Sequence, residues 1–345
     1  MEMNHLFTTY QIKGLELKNR VVMPPMCNFN IEKKDGIPTD WHLVHYGARA
    51  VGGTGLIVIE MTNVEPDGRI TDNCMGLWHD EQLAPLTRLV DICHQFGAKV
   101  AIQIAHAGRK AQDASQPVAP SAVAFDETFP TPRALETSEV KEMVIKFRDA
   151  VTRAVKAGVD AIELHGAHGY LIHQFHSPLT NQRQDAYGQD LTLFGKEVIQ
   201  ATKEVMPAQM PLIMRISAME YVENGYQLED AIQMAKAYQQ AGVDVFHITS
   251  GGEGPIGGAG RPGTHAAYQV PLARTIKKAL DVPVIAVGRL DDPALANAVI
   301  GNEDADLVAV GRGMLRNPNW ALEAAHQLGK VVKIENQGIK ASFRL

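Results

Sequence analysis

The amino-acid sequence predicts an α/β protein that forms a single (β/α)8 TIM barrel, and three observations support this prediction. Eight short apolar runs recur along the chain, and segments of helix length with 3.6-residue apolar spacing separate most of them. No Pro/Ser-rich linker or change of composition divides the 345 residues. We therefore expect one domain, residues 1–345; a doubly wound fold in two domains is the competing architecture.

The apolar runs are nearly continuous in hydrophobicity, which is typical of parallel strands buried on both faces. They begin at Val21, Leu56, Val100, Ala161, Leu212, Val245, Val284 and Leu307. Periodic segments between them begin at Leu83, Val140, Phe194, Ala231 and Val270.

Residues typical of helix starts and helix ends support the predicted helices. Gly97, Gly158 and Gly242 stand where a left-handed C-cap needs glycine, and Asp292-Pro293 is typical of a helix start. The early segment YQIKGLELKN predicts an N-terminal β-hairpin around Lys13-Gly14 that caps the barrel floor.

Composition excludes several classes of protein. The 33 basic and 39 acidic side chains give a formal net charge of −6 without a block of like charge, so no nucleic-acid partner is expected. No stretch approaches the apolar length of a membrane helix, and no signal segment begins the chain. The three cysteines show no CxxC spacing, which indicates neither a disulfide framework nor a zinc ribbon. A cytoplasmic protein acting on a small molecule fits best.

Residues that follow the strands are the candidate active site, because (β/α)8 barrels carry their chemistry there. The motif HGAHGY places His165, His168 and Tyr170 after the fourth strand. Two imidazole N–H groups can polarise one carbonyl oxygen, and a phenol can deliver a proton. A metal site that adds His173 and His176 is the alternative, although HExxH and an acidic ligand cluster are absent from the sequence.

Other strand ends suggest a phosphate and a heterocycle. Gly288-Arg289 and Gly311-Arg312 follow the last two strands, where barrels often hold phosphate. Gln103 suits the imide edge of a heterocycle, and Arg215 suits a ring that carries negative charge. Cys27 is a nucleophile, a redox-tuning contact or a buried thiol. The insertion between residues 113 and 134 is an ordered loop or a lid.

Several long motifs together resemble one family. They are LKNRVVMPPMC, HYGARAVGGTGLIVIE, IQIAHAGRKA, HGAHGYLIHQFHSPLTNQR, ITSGG and VGRGMLRNP, and they extend over nearly the whole chain. The chain resembles the Old Yellow Enzyme family of FMN-dependent NAD(P)H oxidoreductases, in particular its bacterial NADPH dehydrogenase branch. The resemblance implies a (β/α)8 barrel, non-covalent FMN and NAD(P)H as the reductant.

The resemblance also implies residue roles. His165 and His168 would hold the carbonyl oxygen of an enone, and Tyr170 would protonate its α-carbon. Gln103 would bond the flavin pyrimidine and Arg215 would stabilise the reduced ring. The remaining cofactor contacts would be Pro24, Pro25, Met26, Cys27 and Met61 along the flavin and Gly288, Arg289, Gly311 and Arg312 around the phosphate.

The chain departs from the family at three places. Phe29 replaces a substrate-facing Tyr, Met61 replaces a small residue near the flavin, and the run from Gly188 to Glu197 differs from the usual motif. Arg344 in the terminal SFRL stands near where this branch sends an Arg into a partner's active site, which suggests a homodimer or homotetramer.

Four functional hypotheses follow. The first is an ene-reductase or quinone reductase that works by ping-pong hydride transfer. The second is an NAD(P)H:flavin or oxygen reductase on the same scaffold, which Phe29 and Met61 favour. The third is a metal-dependent barrel hydrolase, and the fourth is a non-catalytic flavin-binding or scaffold protein.

Overall fold

The computed structural model describes residues 5–254, 264–330, 334–336 and 339–341. Its centre is a closed barrel of eight parallel strands that follow one another in chain order, so the predicted fold is confirmed. Strands β1 to β8 are Val21–Met23, Leu56–Asn63, Lys99–Ala105, Ala161–Gly166, Leu212–Ser217, Val245–Thr249, Val284–Val287 and Leu307–Ala309. The barrel closes where Val308 and Ala309 of β8 pair with Val21 and Val22 of β1.

Helices surround this barrel. Helices α1 to α8 are Asp40–Val51, Leu83–Gln95, Thr137–Lys156, Leu193–Val205, Leu228–Ala241, Val270–Ala279, Pro293–Gly301 and Trp320–Gln327. Three shorter helices, Leu171–His176, Ala186–Gln189 and Arg312–Arg316, follow β4 and β8. Single 3-10 turns cover His5–Phe7, Pro66–Gly68, Asp80–Gln82 and Gly108–Lys110. Along the described parts of the chain, no helix combines the length and the apolar character that crossing a membrane requires.

The predicted glycines at helix C-termini and the predicted cap at a helix N-terminus are confirmed. Gly97, Gly158 and Gly242 have φ angles of +72°, +90° and +124°, a region that side chains disfavour. Asp292 caps α7, since its Oδ1 accepts a hydrogen bond from the Leu295 N–H at 2.8 Å.

The predicted hairpin closes the floor of the barrel. Tyr10–Ile12 pairs antiparallel with Leu15–Leu17, and Lys13 in the turn has a φ of +49°. Ile12, Leu15 and Leu17 pack in one apolar cluster with residues that begin barrel strands, such as Leu56 and Ala161. Because apolar side chains fill this end, the described residues leave access for a ligand at the other end, where the strands finish.

Two further small sheets lie outside the barrel. Val118–Ala119 pairs with Arg133–Ala134 inside the insertion that follows β3, so this insertion is an ordered loop over these residues. Ile334–Asn336 pairs with Ile339–Ala341 near the C-terminus.

Candidate active site

A cavity of about 380 Å³ opens where the barrel strands end. It brings together residues from the tails of β4 and β6 and from the ordered loop after β3. The lining includes Ile70, Lys110, Gln112, Phe125, Phe129, His168, Tyr170, Tyr221, Thr249, Thr264 and Tyr268. Five of these side chains are Phe or Tyr rings, and several others are polar, a combination that is typical of a small-molecule site.

His165, His168 and Tyr170 lie together beside this cavity. The ring centroids of His165 and His168 are 5.2 Å apart, and those of His165 and Tyr170 are 4.8 Å apart. His165 belongs to β4, whereas His168 lies in the turn after it with a φ of +60°, a conformation uncommon outside glycine. The turn thus directs three functional side chains from one strand end into a single region.

Both imidazoles are neutral near neutral pH. Burial, and secondarily the charge of Arg215, lowers the pKa of His165 and of His168 well below the usual range. The Ala167 N–H donates to Nδ1 of His165 at 3.3 Å, so the His165 proton is on Nε2 and can be donated to a ligand. Burial raises the pKa of Tyr170, which keeps the phenol protonated.

A layer of four polar side chains crosses the barrel interior next to the histidines. Gln103 of β3 and Glu163 of β4 are register partners, and Arg215 of β5 is the register partner of both His165 and His247. Gln103 Nε2 donates to Glu163 Oε1 at 2.8 Å, and His247 Nδ1 is 2.8 Å from Glu163 Oε2. All four polar side chains are less than a tenth exposed.

Arg215 fits a site for an anionic or strongly polar ligand. Its Nε is buried without a hydrogen-bond partner, and no described acidic side chain forms an ion pair with it. A buried charge without a partner is costly. A flavin placed here would offer pyrimidine oxygens to the guanidinium and an imide edge to Gln103, whose Oε1 has no bond within the described residues. The donor set therefore fits FMN.

The tail of β1 runs beside the tail of β8. Pro24 and Pro25 are buried, and a Cβ added to Gly311 would lie 3.4 Å from Met26 Sδ and 3.5 Å from Pro24 Cγ. Cys27, Met61 and Tyr170 pack on one apolar cluster. Burial, and then the charge of Glu60, raises the pKa of Cys27, so its thiol is protonated and is a poor nucleophile.

The two Gly-Arg pairs lie at neighbouring strand ends, because β7 and β8 pair from Ile285↔Leu307 to Val287↔Ala309. Gly288 has a φ of +131°, and Arg289 has a φ of +51° and donates to the Thr264 carbonyl at 2.7 Å. Arg312 is exposed and begins the short helix Arg312–Arg316. The two Gly-Arg pairs therefore lie at the same edge of the barrel mouth, and both arginines are exposed there.

Two predicted features do not line the cavity. The Phe29 side chain is 45% exposed, has a φ of +55° and is not among the residues that line the cavity. The run from Gly188 to Glu197 contributes no lining residue either; its Glu197 accepts a hydrogen bond from the Tyr187 hydroxyl at 2.7 Å. Arg344 lies outside the described residues.

The four histidines of the metal hypothesis do not converge. His173 is 2.9 Å from Glu220, whereas His176 is 3.0 Å from the Tyr238 hydroxyl. Within the described parts of the chain, potential ligand atoms gather only at His173, Glu220 and Glu253. This cluster is buried, and Arg109 already forms an ion pair with Glu253, so that carboxylate has a counter-charge without a metal.

Sequence reasoning missed several residues that the structure brings to the site. Lys110 Nζ donates to the carbonyls of His168 and Gly252 and so connects the tails of β4 and β6. Thr249 Oγ1 lies 2.9 Å from Nε2 of His168. One signal was available for Glu163: a charged residue in the middle of a strand buried on both faces needs a specific partner.

A single glycine controls the approach of β6 to His168. Gly252 has a φ of +119°, and a Cβ at this position would lie 2.2 Å from His168 Cα. If His168 acts on a ligand in the cavity, Gly252→Ala should displace it and lower steady-state turnover about a hundredfold, because groups that act on a ligand tolerate little misplacement.

Gly251→Ala is the matched control for this change. Gly251 also has a positive φ, +73°, but its nearest atom is 3.6 Å away on Tyr221. It should cost about 1 kcal/mol of stability, measured by thermal unfolding, and little turnover. Equal loss of turnover in Gly252→Ala and Gly251→Ala would contradict the conclusion that Gly252 is needed for the placement of His168.

The fold and the site together define a class: a barrel oxidoreductase with a flavin site at the strand ends. The chain belongs to the NADH:flavin oxidoreductase / NADH oxidase family, whose model matches residues 5–330.

Named relatives agree. The chain is 46% identical over 342 residues to an NADPH dehydrogenase of Listeria monocytogenes serotype 4b, which covers 98% of this chain and 99% of the relative. It is 43% identical to an NADPH dehydrogenase of Geobacillus thermodenitrificans, with 96% of each chain covered. The structure of morphinone reductase matches with a TM-score of 0.82 at 29% identity, over 96% of this chain and 91% of that one.

These findings confirm the resemblance to the Old Yellow Enzymes. The protein is an FMN-dependent NAD(P)H oxidoreductase, with FMN as its cofactor and NAD(P)H as its reductant.

Proposed function

We propose that the protein reduces activated C=C bonds of enones, and quinones or related acceptors, in a ping-pong cycle. The observation that carries this proposal is the group of two neutral imidazoles and a protonated phenol beside the cavity. Bound FMN supplies the transfer of a hydride from the nicotinamide to the acceptor.

His165 and His168 bind the carbonyl oxygen of the acceptor. Neutral imidazoles donate hydrogen bonds without giving up a full proton, so they withdraw electron density from the β-carbon of an enone. Tyr170 then delivers a proton to the α-carbon, which a phenol with a raised pKa does only once negative charge has developed there.

The hydroxyl of Thr249 sets the tautomer of His168. Thr249 Oγ1 lies 3.1 Å from Gln269 Oε1 and 2.9 Å from Nε2 of His168. Thr249 donates its one proton to Gln269 Oε1, which also accepts from the Ser250 hydroxyl at 2.7 Å. The Thr249 hydroxyl therefore accepts from Nε2–H of His168, and the acceptor oxygen competes with Thr249 for this N–H.

The same proposal assigns the remaining roles around the cofactor. Gln103 bonds the pyrimidine edge and Arg215 stabilises the reduced ring. Pro24, Pro25, Met26, Cys27 and Met61 line the ring system, and Gly288, Arg289, Gly311 and Arg312 hold the phosphate. The closeness of the β1 and β8 tails supports these assignments. Residues 1–345 would thus form a single FMN-binding domain.

An anaerobic titration tests the proposed function. The purified protein should be yellow, should bleach with NADPH or NADH, and should recover its flavin absorbance with cyclohexenone or a quinone. Recovery only with oxygen or free flavin would replace this function by the second candidate, a flavin or oxygen reductase. That candidate is supported by Phe29, which offers no hydroxyl and lies outside the cavity lining. A colourless protein with stoichiometric zinc would overturn both.

We also propose that the chain forms a homodimer or homotetramer in the cytoplasm. On α1, Trp41, Val44 and Val51 are exposed, with 72% of Val44 accessible, and their spacing places them along one face of the helix. Three free cysteines fit a reducing compartment. Light scattering of the purified protein measures the assembly; Arg344, which would reach a neighbouring active site, lies outside the described residues.

A further inference from the structure

Glu163 lies in the centre of the barrel, and the proposed chemistry does not use it. It is fully buried on β4. One of its oxygens bonds to a side chain of β3, and the other bonds to a side chain of β6. A buried carboxylate needs donors around it, and here the donors are Gln103 and His247.

The contact with Gln103 fixes the orientation of a carboxamide. An ionised carboxylate only accepts hydrogen bonds, so the nitrogen of Gln103, and not its oxygen, must face Glu163 Oε1 at 2.8 Å. Gln103 Oε1 is thereby directed elsewhere, where it is able to accept a hydrogen bond from the imide N–H of a flavin. With a neutral partner in place of Glu163, the carboxamide could rotate by half a turn and present its nitrogen instead.

The charge of Glu163 also balances a cation. Arg215 lies on the neighbouring strand, where burial lowers its pKa and the charge of Glu163 acts in the opposite sense, although the two do not form a direct ion pair among the described residues. Burial lowers the pKa of His247, so this imidazole adds no charge. The layer therefore carries one negative and one positive charge before a ligand binds.

We propose that Glu163 is a positioning residue for the flavin. It holds Gln103 in the orientation that accepts the imide N–H. It also partly neutralises the positive charge of Arg215 and thereby sets the flavin midpoint potential. This inference rests on the proposed roles of Gln103 and Arg215.

The first test is Glu163→Gln, which keeps the shape of the side chain and removes its charge. We expect oxidised FMN to bind about three- to tenfold more weakly, the equivalent of one hydrogen bond, because Gln103 is free to rotate. At the same time the midpoint potential should rise, since the uncompensated Arg215 favours the anionic reduced cofactor. A tenfold change in the relative affinity for the two oxidation states corresponds to about 30 mV.

Weaker binding of oxidised FMN together with a higher midpoint potential distinguishes a positioning role from simple loosening of the barrel. Loosening would weaken both oxidation states equally and would leave the potential where it was. FMN affinity is measured by fluorescence titration of the apoprotein, and the potential by equilibration with a reference dye.

The matched control is Glu220→Gln. Glu220 is also a buried carboxylate paired with a histidine, His173, but it belongs to the cluster outside the flavin layer. Its loss should leave the potential unchanged. If Glu163→Gln yields no folded protein, Glu163→Asp keeps the charge with a shorter reach, and its potential should stay near that of the wild type while FMN affinity falls.

The inference is overturned if Glu163→Gln has the wild-type potential, if Glu220→Gln shifts it equally, or if Glu163→Asp shifts it as Gln would. A wild-type protein that binds FMN but reduces neither enones nor quinones overturns the proposed function, and leaves these measurements of affinity and potential able to decide the role of Glu163.

Discussion

Tyr170→Phe is expected to remove most of the alkene reduction while leaving the reduction of FMN by nicotinamide intact. The phenol lies 4.8 Å from the His165 ring, between centroids, and its raised pKa keeps the proton available. Loss of a general acid typically costs about 10²- to 10⁴-fold in rate. Stopped-flow absorbance separates the two half-reactions: bleaching by NADPH should be unchanged, and recovery with cyclohexenone should slow by that factor.

A quinone acceptor serves as an internal control for this variant. A reduced quinone carries its charge on oxygen, which exchanges protons with water directly, so quinone turnover should fall by no more than about threefold. Tyr187→Phe removes a hydroxyl bonded to Glu197, away from the cavity, and should change neither acceptor's rate. Equal slowing with enone and quinone would show that Tyr170 only supports the structure of the site.

The sequence predicts most of the fold because the signals are local. Buried strands appear as continuous apolar runs. Helix ends carry residues such as Gly97, which adopts a positive φ, and Asp292, which caps a helix start, and both are recognised from a few neighbouring positions. The irregular register of β2 between Ile59 and Thr62 was not predicted, since it depends on its pairing with β3. Periodicity does not report the partner of a strand.

The same distinction separates the predicted and missed parts of the site. His165, His168 and Tyr170 belong to one strand end, so proximity in sequence already placed them together. Glu163 meets Gln103 across 60 positions and His247 across 84, and only closure of the barrel creates these contacts. Spacing along the chain cannot indicate which of several buried polar residues will become neighbours.

Phe29 illustrates a limit of reasoning from a motif. Its place two residues after Cys27 predicts a side chain that faces the substrate, but its backbone has a φ of +55° and the ring is 45% exposed. The direction of a side chain depends on this local dihedral angle, which the motif does not specify. Its role in acceptor binding stays a prediction.

Arg215→Met should have the largest effect on the cofactor itself. The change removes a buried positive charge whose Nε has no protein partner and leaves Glu163 without a counter-charge. Unit charges about 8 Å apart interact by about 2 kcal/mol at an effective dielectric constant near 20. We therefore expect the reduced cofactor to lose about thirtyfold in affinity relative to the oxidised form, which lowers the midpoint potential by about 45 mV.

Arg215→Lys separates charge from geometry. It keeps the positive charge but loses the planar fork of donors, so FMN affinity should fall while the potential stays near the wild-type value. A potential in Arg215→Met that equals that of the wild type would contradict an electrostatic role for Arg215.

The double variant Arg215→Met/Glu163→Gln decides whether the two charges act as a pair. Each single change leaves one buried charge uncompensated, and the two are expected to move the potential in opposite directions. If Glu163 acts on the flavin through Arg215, Glu163→Gln should shift the potential much less in the Arg215→Met background than in the wild type, so the double variant should keep a potential near that of Arg215→Met. Coupling between two residues appears in such a cycle as a departure from additivity. Shifts that simply add, with no coupling term, would mean that Arg215 and Glu163 influence the flavin independently through the barrel interior.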